Sequence, residues 1–329
     1  MHKSVLVTGG AGYIGSHAAW ALIDAGINVV VLDNLSTGFE WLVPAAATFI
    51  KGDVGDREFV RSQLRNHEIA AVMHFAGSII VAESIIDPLK YYRNNTSASR
   101  NLIEACIDEG VDKFIFSSTA AVYGNSDRVF VDEETPTLPL SPYGNSKLAT
   151  EWMLRDISAA TPLRHVTLRY FNVAGADPEG RSGQATPKAM SLFKAACEAA
   201  TGRRQGIEIF GDNYATPDGT CVRDFIHVSD LAQAHLAALA YLEGNEESTT
   251  LNCGYGQGYS VREVLDVFAN VSGQPLDISV GGRRTGDIEQ IVADNAKILK
   301  TLDWTPRHED IEAMVRTALG WEKDLLEKG

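Results

Sequence analysis

The chain has 329 residues, 45% of them hydrophobic and 22% charged, with a formal net charge of −14. That length carries one large or two moderate domains around an ordinary core. The acidic balance excludes the broad basic field that nucleic acid or an anionic membrane needs, so an anionic ligand has to be held locally, by a few Arg or by helix N-termini.

In chain order, hydrophobic periodicity predicts a strand over 4–8, a helix over 13–25, and strands over 28–32 and 47–51. A helix over 57–66 leads to a strand over 70–75. Pro88 opens a long helix to about 109, since proline suits a first helical turn. A strand over 113–117, a helix over 143–160 and a strand over 164–170 follow. The strands are unbroken apolar runs, such as Val-Val-Val-Leu at 29–32 and Phe-Ile-Phe at 114–116, as a parallel sheet covered on both faces requires. This alternation specifies an α/β fold with a doubly wound, Rossmann-type parallel sheet. From about 172 the pattern loosens into loops rich in Gly, Asp and Pro. The expected division is a dinucleotide-binding domain over 1–175 with a return segment over about 225–242, and a smaller C-terminal substrate-binding lobe over 176–329.

The chain runs almost directly into its first strand, so no signal peptide is expected. The longest apolar stretch, 69–82, is broken by His74 and Gly77 and is too short to span a bilayer. Cys106, Cys197, Cys221 and Cys253 are far apart and form no CxxC, which suits buried thiols in a reducing compartment and predicts no metal site. A cytoplasmic location is expected.

The first strand ends in Thr-Gly-Gly-Ala-Gly-Tyr-Ile-Gly, so Gly9, Gly12 and Gly15 form a GxxGxxG between strand and helix. Such glycines make a tight turn, let backbone approach a pyrophosphate, and leave free N–H groups at the helix start facing the anion. Asp33 ends the second strand, where a carboxylate accepts both adenosine ribose hydroxyls and repels a 2′-phosphate, so NAD is favoured over NADP. Asp53, after the third strand, is placed for the adenine amino group; its bland alternative is a helix cap. Tyr13 and Ile14 at the helix start, Asn34, Val54, and the run Phe75, Ala76 and Gly77 complete this half of the cofactor site. His74 lies in an apolar run and reads as a satisfied core residue.

Tyr143 and Lys147 are four residues apart, hence on one helix face. A nearby cation favours phenolate and lowers a Tyr pKa, giving a proton-transfer group near neutral pH. The bland alternative is a surface Tyr beside a surface Lys. Two strand ends meet this helix: Phe116-Ser117-Ser118-Thr119-Ala120-Ala121-Val122-Tyr123-Gly124 at the end of the fifth strand and Arg169-Tyr170-Phe171-Asn172 at the end of the sixth. Ligands in such sheets bind beyond the carboxyl ends of strands. Arg223 and Arg284 supply local positive charge for a diphosphate, against the alternative of surface ion pairs, and Asp287 is placed to accept ribose hydroxyls.

The runs Val-Thr-Gly-Gly-Ala-Gly-Tyr-Ile-Gly-Ser-His, Leu-Asp-Asn-Leu-Ser, His-Phe-Ala-Gly, Tyr-Tyr-Arg-Asn-Asn, Ser-Pro-Tyr-Gly-Asn-Ser-Lys, Arg-Tyr-Phe-Asn-Val-Ala-Gly-Ala, Asp-Gly-Thr-Cys-Val-Arg-Asp-Phe-Ile-His and Arg-Arg-Thr-Gly-Asp resemble the extended short-chain dehydrogenase/reductase family over nearly the whole chain. The resemblance implies Tyr143 as base, Lys147 as pKa-lowering cation and ribose ligand, and Thr119 as hydroxyl partner. It implies cofactor contacts from Asn94, Ser117 and Tyr170, and substrate contacts from Thr119, Asn172, Phe210, Arg223, Arg284 and Asp287. The implied activity is NAD-dependent epimerisation of a UDP-sugar at C4, with UDP-glucose and UDP-galactose first. Hydride leaves C4, the 4-keto sugar turns over, and hydride returns to its opposite face. UDP-xylose, UDP-arabinose or a UDP-N-acetylhexosamine are alternatives, as is a net dehydrogenase. Ala120 and Ala121 stand where dehydratases place an acid and a base, so elimination is not expected.

Five positions depart from the pattern. Ile79 replaces a frequent Lys near the cofactor, and Phe225 a frequent Tyr. In 185–195, Ser191 and Lys194 stand for Asn or His and for Pro, so a diphosphate contact has to be remade by backbone or by a Lys. Ile291 occupies the position that sets room around the sugar C2 substituent. The helices over 88–109 and 144–160 carry apolar residues Leu102, Cys106, Leu148 and Trp152, expected either to form a homodimer face or to pack on the sheet.

Overall fold

The computed structural model describes residues 4–186, 191–284 and 287–328. Seven strands form one parallel sheet in the order Thr249–Cys253, Arg164–Tyr170, Lys113–Ser117, Ile69–His74, Ser4–Thr8, Asn28–Asp33, Thr48–Lys51. The doubly wound expectation holds. Chain order reverses between Ser4–Thr8 and Ile69–His74, and a crevice opens at such a switch point.

Side chains alternate across the sheet, and both faces are covered. Val5, Val7, Val29, Val31 and Met73 enter one core; Leu6, Val30, Leu32, Val72 and Phe114 enter the other. This explains why the strands carry no polar alternation. Each fully buried aliphatic side chain of this kind stabilises the fold by about 1.5–3 kcal/mol.

The return to the sheet is longer than the segment 225–242. The helix Val228–Glu243 packs Leu231, Ala234, Ala238 and Leu242 into the first core, and Thr249–Cys253 then becomes the outer strand beside Arg164–Tyr170. Strand Val222–His227 belongs instead to a second sheet. There it pairs with Gly258–Ser260, Gln290–Ala293 and Asn172–Ala174, and Phe130–Val131 flanks Gln290–Ala293. A ribbon of Ile207–Phe210 and Ile278–Gly281 completes the lobe.

The helix expected from Pro88 to 109 is not regular. A short helix Pro88–Tyr91 passes into a π-helical segment, Tyr92–Ser97, before Ala98–Asp108. Leu102 and Cys106 from this region are fully buried in the second core, and Leu148 is buried near the site. They pack within the chain, so of the four stripe residues Trp152 alone, at 50%, is exposed. All four cysteines are free and buried. Among the described residues, no helix is long and apolar enough to cross a membrane, and no cluster of metal-ligating groups occurs.

Candidate active site

The glycine loop is shaped by contact. Gly9 has φ +71°, and a Cβ there would lie 2.6 Å from the Ala76 nitrogen; at Gly15 it would meet the Gly9 carbonyl oxygen at 2.3 Å. Gly12 is the N-cap of helix Tyr13–Asp24, and no side chain caps that end. Ile14 packs against the first core from the first turn. The Tyr13 side chain turns away, its hydroxyl donating to the Gly175 carbonyl at 2.5 Å, so only its backbone belongs to the loop. Asp33 is buried; its Oδ2 accepts from the Ala11 N–H at 3.0 Å and its Oδ1 from the Leu35 N–H at 2.8 Å. Asn34 beside it is exposed and accepts from the Ser36 N–H. Asp53 is not the helix cap: Asp56 caps helix Arg57–Asn66, while Asp53 folds its own turn by accepting from the Gly55 N–H at 2.8 Å. Val54 is buried under that turn.

Across the switch point, the Phe75 N–H bonds the Thr8 carbonyl at 3.0 Å, tying the Phe75–Gly77 strap to the glycine loop. The Phe75 ring lies 4.6 Å from that of His235. Ala76 and Gly77 follow toward solvent. His74 is the satisfied core residue expected, held between Thr8 Oγ1 at 2.7 Å and Ser99 Oγ at 2.8 Å; burial drops its pKa to about 3. The π-helical segment fixes the strap. Asn94 donates to Ser78 Oγ at 3.1 Å, while buried Asn95 accepts from the Ser78 N–H at 2.7 Å and donates to its carbonyl at 3.0 Å. Asn95 and Ser78 were not singled out in the sequence, because a π turn leaves no mark in a 3.6-residue period.

Helix Pro142–Ala160 starts where Ser141 caps the Gly144 N–H at 3.2 Å, and its first turns bury Tyr143 and Lys147. Lys147 Nζ donates to the Ser117 carbonyl at 2.9 Å and lies 4.9 Å from the Phe116 ring centre. Burial pushes the ammonium down to about 8, against the pull of Glu151. The expected lowering of the phenol is overturned. Burial raises the Tyr143 pKa, and the opposing influence is its hydrogen bond with Thr119, not the Lys147 charge. Tyr91 sets its ring edge-on to Tyr143, at 6.3 Å. The Ser117 hydroxyl pairs with His235 Nε2 at 2.9 Å, and burial drives the Tyr170 phenol far up.

Beyond Tyr143 opens a cleft of about 230 Å³, lined among others by Thr119, Ala120, Ala121, Tyr170, Asn172, Arg223, Asp287 and Ile291. Arg284 lies over the Phe210 ring at 3.3 Å. Burial raises the Asp287 pKa, and Arg223 and Arg284 pull it back. Neither Arg forms a salt bridge among the described residues; Arg223 donates to the carbonyls of Val222 and Glu289. The surface-ion-pair alternative therefore does not describe them. Residues 285–286, within the Arg-Arg-Thr-Gly-Asp run, lie outside the described residues.

Comparison with known proteins agrees with this layout. Residues 5–254 match the model of the NAD dependent epimerase/dehydratase family. The chain belongs to that family. It is 55% identical to a UDP-glucose 4-epimerase of Azospirillum brasilense over 98% of this chain and 92% of the other. The UDP-glucose 4-epimerase of Brucella ovis in complex with NAD superposes with a TM-score of 0.93 at 40% identity, covering 97% of this chain and 98% of that one. That of Stenotrophomonas maltophila, with bound NAD and formylated UDP-arabinopyranose, gives 0.96 at 38%, covering 100% of both chains.

The family's cofactor fits these residues, because the glycine floor has no room for a Cβ and Asp33 stands at a strand end. The departures resolve unevenly. Lys194 is not free for a diphosphate: it is buried, with Nζ 2.5 Å from Glu322 Oε2 and 3.9 Å from Glu198 Oε1. Ser191 donates to Gln184 Oε1 at 2.8 Å, and residues 187–190 of the same segment lie outside the described residues. Phe225 packs on Phe193 in the lobe core, Ile79 is 67% exposed, and Ile291 is a buried wall of the cleft.

Proposed function

We propose that this cleft interconverts UDP-glucose and UDP-galactose. The reaction is NAD-dependent epimerisation of a UDP-sugar at C4. Tyr143 acts as its phenolate, taking the O4 proton and later returning it, while Thr119 holds the same hydroxyl and opposes the rise that burial imposes on the phenol. Lys147 contributes a buried positive charge and a ribose contact. When bound, NAD supplies the hydride acceptor, and the same site holds it for the return. Gly9, Gly12, Gly15, Asp33, Asp53, Asn94 and Ser117 hold it; Arg223 and Arg284 neutralise the diphosphate, with Asn172, Phe210 and Asp287 around the nucleotide sugar. One observation carries the reading: Thr119 and Tyr143 share a cleft with Arg223 and Asp287, while Ala120 and Ala121, also in its wall, have no group to eliminate water. The deciding experiment is Tyr143→Phe, which is expected to retain NAD and lose at least about 100-fold in epimerisation. Near-normal turnover overturns the assignment.

We also propose the division into a NAD-binding part over 1–175, completed by the returning chain, and a sugar-nucleotide lobe. A cytoplasmic location and pairing with a second copy of the chain belong to the same reading. Ile86 and Leu89, 85% and 74% exposed, stand with Trp152 as an apolar surface for that pairing. Equilibrium assays with UDP-glucose, UDP-xylose and UDP-N-acetylglucosamine, scoring each C4 epimer, rank the sugars that Ile291 admits.

A further inference from the structure

One helical turn beyond Lys147, on the same face, stands Glu151. It is buried, and so is its partner Arg169 from strand Arg164–Tyr170. The guanidinium grips the carboxylate with two nitrogens: one terminal nitrogen lies 2.7 Å from Oε2, and Nε lies 3.1 Å from Oε2 and 3.2 Å from Oε1. The Ser118 hydroxyl, beside Thr119, donates to Oε1. The other terminal nitrogen of Arg169 donates to the Tyr123 hydroxyl at 3.1 Å, which donates to Asn252 Oδ1 at 2.6 Å. Asn252 lies on Thr249–Cys253, the outer strand. One carboxylate thus joins the helix of Tyr143 and Lys147, the segment of Thr119, and the strand leading to Tyr170 and Asn172.

We propose that Glu151, clamped by Arg169 and Ser118, is a positioning residue for the epimerisation. Through it Tyr143, Lys147 and Thr119 keep one mutual geometry, and its charge sets how firmly Lys147 holds its proton. The inference rests on the roles given above to those three residues. A helix that only needed anchoring to the sheet would be fastened by apolar packing, as Leu154 on the same helix is. A buried ion pair is instead retained where geometry must be specified, since an apolar pair is often no less stable.

The charges around Lys147 are few. Glu151 faces it from its own helix, and Arg169 stands behind Glu151. His74, on the neighbouring strand, has its pKa held near 3, and His235, packed against Ser117 from helix Val228–Glu243, near 4, so both are neutral in the working range. Tyr123 is pushed up to about 12 and is neutral too. Glu133 lies farther out, accepting from the Asn252 N–H at 2.6 Å. Glu151 is therefore the carboxylate that bears on Lys147, and its removal lets the ammonium lose its proton at lower pH.

The test is Glu151→Gln, assayed for kcat, KM and the pH dependence of kcat on UDP-glucose, with melting temperature and bound NAD as controls. Expected are a fall in kcat on the order of 10- to 100-fold with KM within about twofold, and an alkaline limb displaced to lower pH. Glu151→Asp, which keeps the charge, should return the limb to its place. Kinetics and a pH limb like those of the unmodified enzyme overturn the proposal. So does a loss of rate with an unmoved limb, which marks a merely structural residue. If Glu151→Gln does not fold, Arg169→Lys keeps the charge and removes the fork; unchanged kcat there overturns the proposal, and a selective fall in kcat supports it. Tyr143→Phe, run in parallel, separates the two readings. An active Tyr143→Phe sinks the site assignment itself, whereas an inactive one beside a normal Glu151→Gln sinks the positioning role alone.

Discussion

Burial pushes the Lys147 ammonium down to about 8, from about 10.4 in an unfolded chain. Between those values the unfolded chain holds a proton that the native one has released. The contribution of Lys147 to stability therefore rises with pH across that window, and below about 8, where both states are charged, the buried charge costs most. Activity runs the other way, because the proposed role needs the cation. The expected outcome is a kcat profile with an alkaline limb near pH 8; a profile flat to about pH 10 would remove the Lys147 charge from the mechanism. At this scale the sequence was informative where the chemistry is local. The i, i+4 spacing of Tyr143 and Lys147 and the strand-end position of Asp33 were legible from neighbours alone. The direction of the Tyr143 shift was not, because the depth of a phenol below the surface is set by Thr119, Tyr91 and the covering strands. The clamp of Glu151 by Arg169 was not legible for a similar reason: Arg169 showed only as part of a strand end, and its pairing with Glu151 exists only after helix and strand meet.

The π-helical segment Tyr92–Ser97 is the element whose irregularity has the clearest use. Its widened turn aims both amide groups of Asn95 at the backbone of Ser78, with a third bond from Nδ2 to Ser146 Oγ at 3.0 Å. The strap beside the glycine loop and the helix that carries Tyr143 and Lys147 are thus fastened to one side chain. Asn95→Ala leaves partly buried backbone groups of Ser78 without that partner, which costs about 1–3 kcal/mol. The expected outcome is a lower melting temperature and loss of NAD on gel filtration, read from the absorbance of the eluted protein. Full NAD occupancy with an unchanged melting temperature would show that the strap holds itself. The regular elements were legible because apolar runs and caps are local signals: Lys113–Ser117 and Arg57–Asn66 fall where periodicity placed them. The lobe was not, since strands as short as Phe130–Val131 and Gly258–Ser260 are defined by partners far away in sequence.

Across the whole molecule, the exposed apolar residues Ile86, Leu89 and Trp152 lie on helices that pack against one another. The proposed pairing of two copies there would bury what a monomer leaves wet. Trp152→Lys is expected to convert the protein to a monomer by sedimentation at micromolar concentration, with its fold retained. A monomeric unmodified protein, or a dimer that survives the change, would place the interface elsewhere or remove it. The sheet holds a further consequence. Its outer strand, Thr249–Cys253, is made some eighty residues after the strand it pairs with, and much of the lobe lies between them in sequence. As the chain leaves the ribosome, the edge of Arg164–Tyr170 stays unpaired until Thr249–Cys253 has been made, after part of the lobe and before the rest of it. The seven-stranded sheet cannot finish first and wait for the second, because its last plank follows Asn172–Ala174, Ile207–Phe210 and Val222–His227 in the chain, although it precedes Asp287 and Ile291 of the cleft.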